Sequence, residues 1–78
     1  MSLKITVYDG VKYNDGTEKV AETIYNNVEK LEVKRMTDEE IFAQGFDEVD
    51  EFEEYAIITF TDGTTTTFRN SHVDIFRA

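Results

Sequence analysis

The chain has 78 residues, a formal net charge of −9, no cysteine and no proline. That length supports one domain, since a second could not bury a core of its own. The missing thiols exclude disulfides, cysteine nucleophiles and cysteine-ligated zinc or iron–sulfur centres, and the single histidine, His72, gives no basis for a histidine-based metal staple. Stability must then come from packing or self-association, so a homodimer is expected. The start shows no basic region leading into an apolar run. The longest such run, Tyr55-Ala56-Ile57-Ile58, is far too short to cross a bilayer. The expectation is a cytoplasmic protein with no membrane partner and no cofactor.

In chain order, Leu3, Ile5 and Val7 alternate with Lys4, Thr6 and Tyr8, the period-two pattern of a half-buried strand. Asp9-Gly10 reads as a tight turn needing positive φ, and a second Asp-Gly follows at Asp15-Gly16. Between them Val11 to Asn14 has room for a short strand or a loop. Residues 17–28 admit two readings. Val20, Ile24, Val28 and Leu31 fall at helical spacing with Thr17 as a cap. Thr23-Ile24-Tyr25 and Asn26-Asn27 instead favour strand, turn, strand, and that reading is preferred. Leu31 and Val33 then face one way and Lys30, Glu32 and Lys34 the other.

Thr37-Asp38-Glu39-Glu40 has the form of a capping box, with acids suited to the positive end of a helix dipole. A helix is predicted from Asp38 to Gln44, with Ile41 and Phe42 on its buried side. Gly45 stops it, and Phe46 folds back onto Ile41 or Phe42. From Phe46 to Tyr55 an apolar residue recurs every third position, a period that neither a strand nor a long helix keeps on one face. A helical turn and loop pegged by Phe46, Val49 and Phe52 fits that pattern.

Tyr55 to Thr61 and Thr64 to Arg69 are β-branched and aromatic runs joined by Asp62-Gly63, a strong hairpin signal. A two-residue loop would set Ile57 opposite Phe68 and Thr59 opposite Thr66. Arg69 to His72 turn the chain, and Val73 to Arg77 reads as a last strand. The stretch Thr23 to Val33 echoes Thr66 to Ile75: an aromatic strand end, an Asn-containing turn, then another strand. The fold class is therefore mainly β: a small antiparallel curled sheet or barrel-like domain of about five or six strands with one short helix. The alternative is α+β with a second helix near 17–28.

Phe60-Thr61-Asp62-Gly63-Thr64 together with Phe68-Arg69-Asn70-Ser71 resembles small uncharacterised proteins of Gram-positive phages and conjugative elements. The resemblance covers the C-terminal hairpin. It implies an accessory protein that binds a host or element component, and it assigns no functional residue.

The charge is unevenly placed. Six acids balance six bases from Met1 to Met36, and two balance two from Ala56 to Ala78. All of the net charge therefore lies between Thr37 and Tyr55, in Asp38, Glu39, Glu40, Asp47, Glu48, Asp50, Glu51, Glu53 and Glu54. Such a field repels phosphate backbones, so direct nucleic-acid binding is not expected. It attracts a basic protein partner, with charge mimicry of nucleic acid as one form of that. Asp47, Glu48, Asp50, Glu51, Glu53 and Glu54 are the candidate partner-binding residues. The plain alternative is a solvated, solubilising face, with sheet edges forming a structural homo-oligomer. Crowding should raise the pKa values of these acids.

Catalysis has little to stand on. Ser71 and His72 are neighbours whose side chains would point to opposite faces of a strand. No glycine spacing fits a dinucleotide or phosphate loop. The acids lack the spacing of a calcium-binding loop. No catalytic, cofactor or metal residue is assigned. Tyr8, Tyr13, Tyr25, Tyr55, Phe76 and Arg77 could form a contact surface, although core packing suits Tyr25 and Tyr55 better.

Overall fold

A computed structural model describes residues 1–12, 18–46 and 53–78. The strands are β1 (Leu3–Tyr8), β2 (Lys19–Tyr25), β3 (Val28–Lys34), β4 (Tyr55–Phe60), β5 (Thr65–Arg69) and β6 (Val73–Arg77). The helix α1 (Asp38–Ala43) lies between β3 and β4, and a single 3-10 turn, Asn70–His72, lies between β5 and β6. The domain is mainly β, and the stretch containing Thr23-Ile24-Tyr25 and Asn26-Asn27 is strand, turn, strand, not a second helix.

The strands form two antiparallel three-stranded sheets, with orders β2-β1-β6 and β3-β4-β5, and no closed barrel. The expected antiparallel strands and short helix are present, with the strands divided between two sheets. Strands β2 and β3 do not pair with each other; β2 lies on β1 and β3 on β4. The chain changes sheet at Asn26-Asn27 and returns through the 3-10 turn, since β5 lies on β4 and β6 on β1. The two segments that echo each other in sequence are thus the two crossings. Between them the sheets hold one core of Leu3, Ile5, Val28, Ile58 and Val73. Fully burying a side chain of this kind contributes about 1.5–3 kcal/mol. Tyr25, Leu31, Phe60, Phe68 and Ile75 close around it.

The local signals explain most of the elements. The capping box is present: the Glu40 amide donates to the Thr37 hydroxyl at 3.3 Å, and the Thr37 amide donates to Glu40 Oε1 at 3.2 Å. The helix ends in a left-handed cap at Gly45, φ 87°. The Gly45 amide donates to the Phe42 carbonyl and the Phe46 amide to that of Ile41, satisfying two carbonyls of the last turn. The helix stops at Ala43, and Gln44 is its cap. Ile41 is buried, but Phe42 is 57% exposed, so one residue of the expected pair faces the core. Phe46 stacks on Tyr55 with ring centroids 5.2 Å apart, and the Arg69 guanidinium sits 5.6 Å from the Phe46 centroid. A hydrogen bond from Thr67 Oγ1 to Gln44 Oε1 also ties the helix end to β5. The expected pegs Val49 and Phe52 lie outside the described residues. Val33, expected to share a face of its strand with Leu31, is 46% exposed.

Two turns differ from expectation. Gly10 is not left-handed; among the described residues Gly45 and Gly63 alone have positive φ. Asp9 instead closes the mouth of its loop, its amide donating to the Glu18 carbonyl and its carboxylate accepting from the Glu18 amide, both at 3.1 Å. In the last hairpin the Phe60 amide donates to the Thr64 carbonyl and the Gly63 amide to the Phe60 carbonyl. The loop is therefore Thr61-Asp62-Gly63, three residues with the left-handed one last. The extra residue shifts the register by one: Ala56 faces Phe68, Ile57 faces Thr67 and Thr59 faces Thr65.

Gly63 has φ 87° with no neighbour within 4 Å of an added Cβ, so its constraint is conformational and not steric crowding. Gly63→Ala should cost about 1–2 kcal/mol, lowering the melting temperature by several degrees with little change in the folded spectrum. Thermal denaturation followed by circular dichroism checks this; an unchanged melting temperature would rule out the left-handed requirement.

Candidate functional site

Of the candidate acids, Asp47, Glu48, Asp50 and Glu51 lie outside the described residues. The segment's described acids flank them. Asp38, Glu39 and Glu40 occupy the first helical turn and are exposed. Glu40 has Lys34 Nζ at 3.6 Å as well as its cap bonds. Glu53 Oε1 accepts from the Ser71 hydroxyl at 2.8 Å and from the Ser71 amide at 3.2 Å. The Glu54 carbonyl accepts from the Asn70 amide at 2.9 Å, and the Glu54 residue is exposed. The C-terminal end of the acidic segment is thus clamped to the 3-10 turn, and its N-terminal end is fixed by the capped helix.

The expected upward shift of the acids is reversed at Glu40. The Thr37 amide and hydroxyl, then Lys34, hold its carboxyl below the ordinary range. Local hydrogen bonds to the ionised form outweigh repulsion along the segment.

The bases are engaged elsewhere. Lys4 and Lys19 both hold Glu22, at 3.1 and 3.0 Å. Lys30 holds Glu32 at 2.9 Å, and Lys12 lies 3.3 Å from Asp74. Among the described residues, Lys34–Glu40 is the one ion pair that reaches the segment from Thr37 to Tyr55. No cluster of three or more metal-ligating side chains occurs among the described residues.

A second polar cluster was not legible in the sequence. The Tyr8 hydroxyl donates to Asp74 Oδ2 at 2.7 Å. Lys12 Nζ donates to the Val73 carbonyl at 2.8 Å beside the same carboxylate, and the Lys12 amide donates to the Ser71 carbonyl. Asp74 is held below the ordinary range by the Tyr8 hydroxyl, against desolvation, with Lys12 assisting. Tyr8 is raised by that same bond. This cluster pins the loop after β1 to the start of β6. Sequence separations of 66 and 62 between partners leave no local signal to find it by.

The proposed aromatic surface is dispersed. Tyr55 is fully buried, and Tyr25 packs on the core with its ring 5.4 Å from Phe60. Tyr8 is committed to Asp74, and Tyr13 lies outside the described residues. Phe76, 55% exposed, and Arg77 remain at the surface. The Ser71 hydroxyl is engaged with Glu53, and His72 ends the 3-10 turn. Compared with protein-family models, curated proteins and solved structures, the chain matches none. No helix among the described residues is long and apolar enough to cross a membrane.

Proposed function

We propose that the chain is a non-enzymatic interaction module whose acidic segment, Thr37 to Tyr55, engages a basic protein surface, including surfaces that otherwise bind nucleic acid. The observation that supports this is how the charges are distributed in three dimensions. Four of the five lysines are paired with acids of β2, β3 and β6, and Lys34 alone meets an acid of the segment among the described residues. A chain that used its acids for solubility alone would gain from mixing both signs over its surface. Here nine acids and no base lie in one stretch of the chain, whose described ends are held by the capped helix and by the contact of Glu53 with Ser71. An accessory role within a mobile element, the reading that the hairpin resemblance implies, is compatible with such a module.

The test is capture from a lysate of the source cell on the immobilised chain, at low and moderate salt. Charge-driven contacts are screened over about 8–10 Å near physiological ionic strength. Basic proteins should be retained at low salt and released as salt rises. Asp47→Asn, Glu48→Gln and Glu51→Gln together should cut the retained amount roughly tenfold, about 1.4 kcal/mol. Glu18→Gln, Glu29→Gln and Glu32→Gln together make the same change in net charge and should retain near-parental amounts. Equal capture by the two triple variants would reduce the segment to a solvated face.

A further inference from the structure

Two aspartate–glycine pairs among the described residues have the same local sequence and different surroundings. Asp9 and Asp62 are both exposed, so water reaches each. At the second pair the Gly63 amide donates to the Phe60 carbonyl at 3.0 Å. The Asp62 carboxylate accepts from the Thr64 hydroxyl at 2.6 Å and from the Thr64 amide at 2.9 Å. At the first pair the Asp9 carboxylate accepts one bond, from the Glu18 amide at 3.1 Å. The Gly10 amide makes no hydrogen bond among the described residues. Nothing lies within 4 Å of the place a Gly10 Cβ would take. Without that Cβ the Gly10 nitrogen can approach the side chain before it. The third pair, Asp15-Gly16, lies outside the described residues.

We propose that Asp9-Gly10 is a site of spontaneous covalent modification, at which Asp9 converts to isoaspartate in the folded protein while Asp62 does not. The Gly10 amide nitrogen attacks Cγ of the protonated Asp9 side chain. The N–Cγ bond forms and a Cγ–O bond breaks; the amide proton and the carboxyl hydroxyl leave together as water, giving a five-membered succinimide. Water then adds back to the ring. Opening at the α-carbonyl gives isoaspartate, and opening at Cγ returns aspartate, so the product is an isomer and no co-reactant besides water is consumed. The Glu18 amide draws electron density from the Asp9 carboxyl through one oxygen, and the other oxygen accepts from no group among the described residues and is left to take up the proton and depart. At Asp62 both reactants are tied down. The Thr64 hydroxyl, then its amide, hold the carboxyl below the ordinary range, so it stays ionised and resists attack. The Gly63 nitrogen keeps its proton against the Phe60 carbonyl. Isoaspartate at position 9 lengthens the main chain between β1 and Lys12, whose amide and ammonium pin this loop to Ser71 and Val73.

The test is prolonged incubation of the full chain near neutral pH, in buffer and in parallel in urea, with samples digested over time. The tryptic peptide 5–12 carries Asp9 and no other aspartate. In buffer it should split into two chromatographic peaks of the same mass, the second growing with time. That second peak should resist an aspartate-specific endoproteinase, which does not cut before isoaspartate. Cleavage before Asp62 should stay complete in buffer and decline in urea, where the Thr64 and Phe60 bonds are gone. Asp9→Glu should abolish the second peak, because glutamate would have to close a less favoured six-membered ring. A folded protein with no second peak overturns the proposal, and so does loss of cleavage before Asp62 in buffer at the rate seen for Asp9. Asp62 that stays intact in urea as well would show that the fold is not what spares it, and would overturn the contrast.

Discussion

Tyr55→Ala is expected to unfold the domain, whereas Tyr55→Phe should leave it more stable than the parent. The two substitutions separate the ring from its hydroxyl. Tyr55 is fully buried at the start of β4, the middle strand of its sheet, with Lys34 and Arg69 as cross-strand neighbours. Its ring holds Phe46 and so anchors the end of the helix. Deleting a buried aromatic side chain costs about 3–5 kcal/mol. A single core of this size supplies rarely more than about 3–5 kcal/mol in total, so the alanine variant should have no folded baseline. The hydroxyl is buried with no hydrogen-bond partner among the described residues. An unsatisfied buried polar group carries a penalty of about 1–3 kcal/mol. Removing it should recover about 1 kcal/mol, raising the melting temperature by about 4–8 °C. Thermal melts of the three proteins decide the matter. A phenylalanine variant that melts below the parent would mean that the hydroxyl is bonded after all.

Stability should fall on acidification as the carboxylates take up protons. Five carboxyls are held below their ordinary range: Glu22 by Lys19 and then Lys4, Glu32 by Lys30, Glu40 by its cap bonds, Asp62 by the Thr64 hydroxyl and amide, and Asp74 by the Tyr8 hydroxyl. A lowered native pKa means that the unfolded chain binds protons first. The stabilisation is therefore whole above the ordinary values, 4.5 for Glu and 3.8 for Asp. It is lost as pH falls through and below them. Tyr8 has the opposite sign. Its native value is raised above 10.0, so its contribution is whole below that value and is lost as pH rises past it. The melting temperature should be flat near neutrality and fall on both sides, far more steeply on the acid side, where five groups act together. Asp74→Asn removes the shared acceptor charge and should blunt both limbs. A variant whose alkaline limb matches the parent's would disconnect Tyr8 from it.

What could be read from sequence follows from how local its cause is. The capping box and the glycine stop depend on residues within a few positions of each other, and the structure reproduces them; β1 keeps Leu3 and Ile5 inward as its alternation requires, but Thr6 is buried too and Val7 only partly. The hairpin's existence is local too, but its register depends on one backbone angle. Asp62 keeps a negative φ, since no residue other than glycine is left-handed among those described, so Thr61 joins the loop and every pair moves by one. Phe42 and Val33 sit at positions with the right period, yet both are exposed, because period fixes a face and the neighbouring elements decide how much of it is covered. The sheet change at Asn26-Asn27 has no local signature beyond a turn. For the site, the segregation of charge is plain in the chain order, and so is the capped helix that carries three of the acids. The engagement of Glu53 by Ser71 and the use of lysines at Glu22, Glu32 and Asp74 require knowing which strands lie side by side.

The two sheet changes also fix how the domain must fold. β1 needs β6, with Leu3 beside Arg77, and β4 needs β3 and β5. The sheet of β3, β4 and β5 is one contiguous stretch of chain, whereas the sheet of β2, β1 and β6 is completed only after the chain has passed through the other. The closing contacts join residues near opposite ends of the sequence, and the loop entropy they demand is met only when the shared core of Leu3, Ile5, Val28, Ile58 and Val73 assembles at once. Alone, the contiguous sheet would leave Val28 and Ile58 without the Leu3, Ile5 and Val73 that cover them, so it gains its stability only as β1 and β6 close over it, and the two sheets are expected to form in one transition.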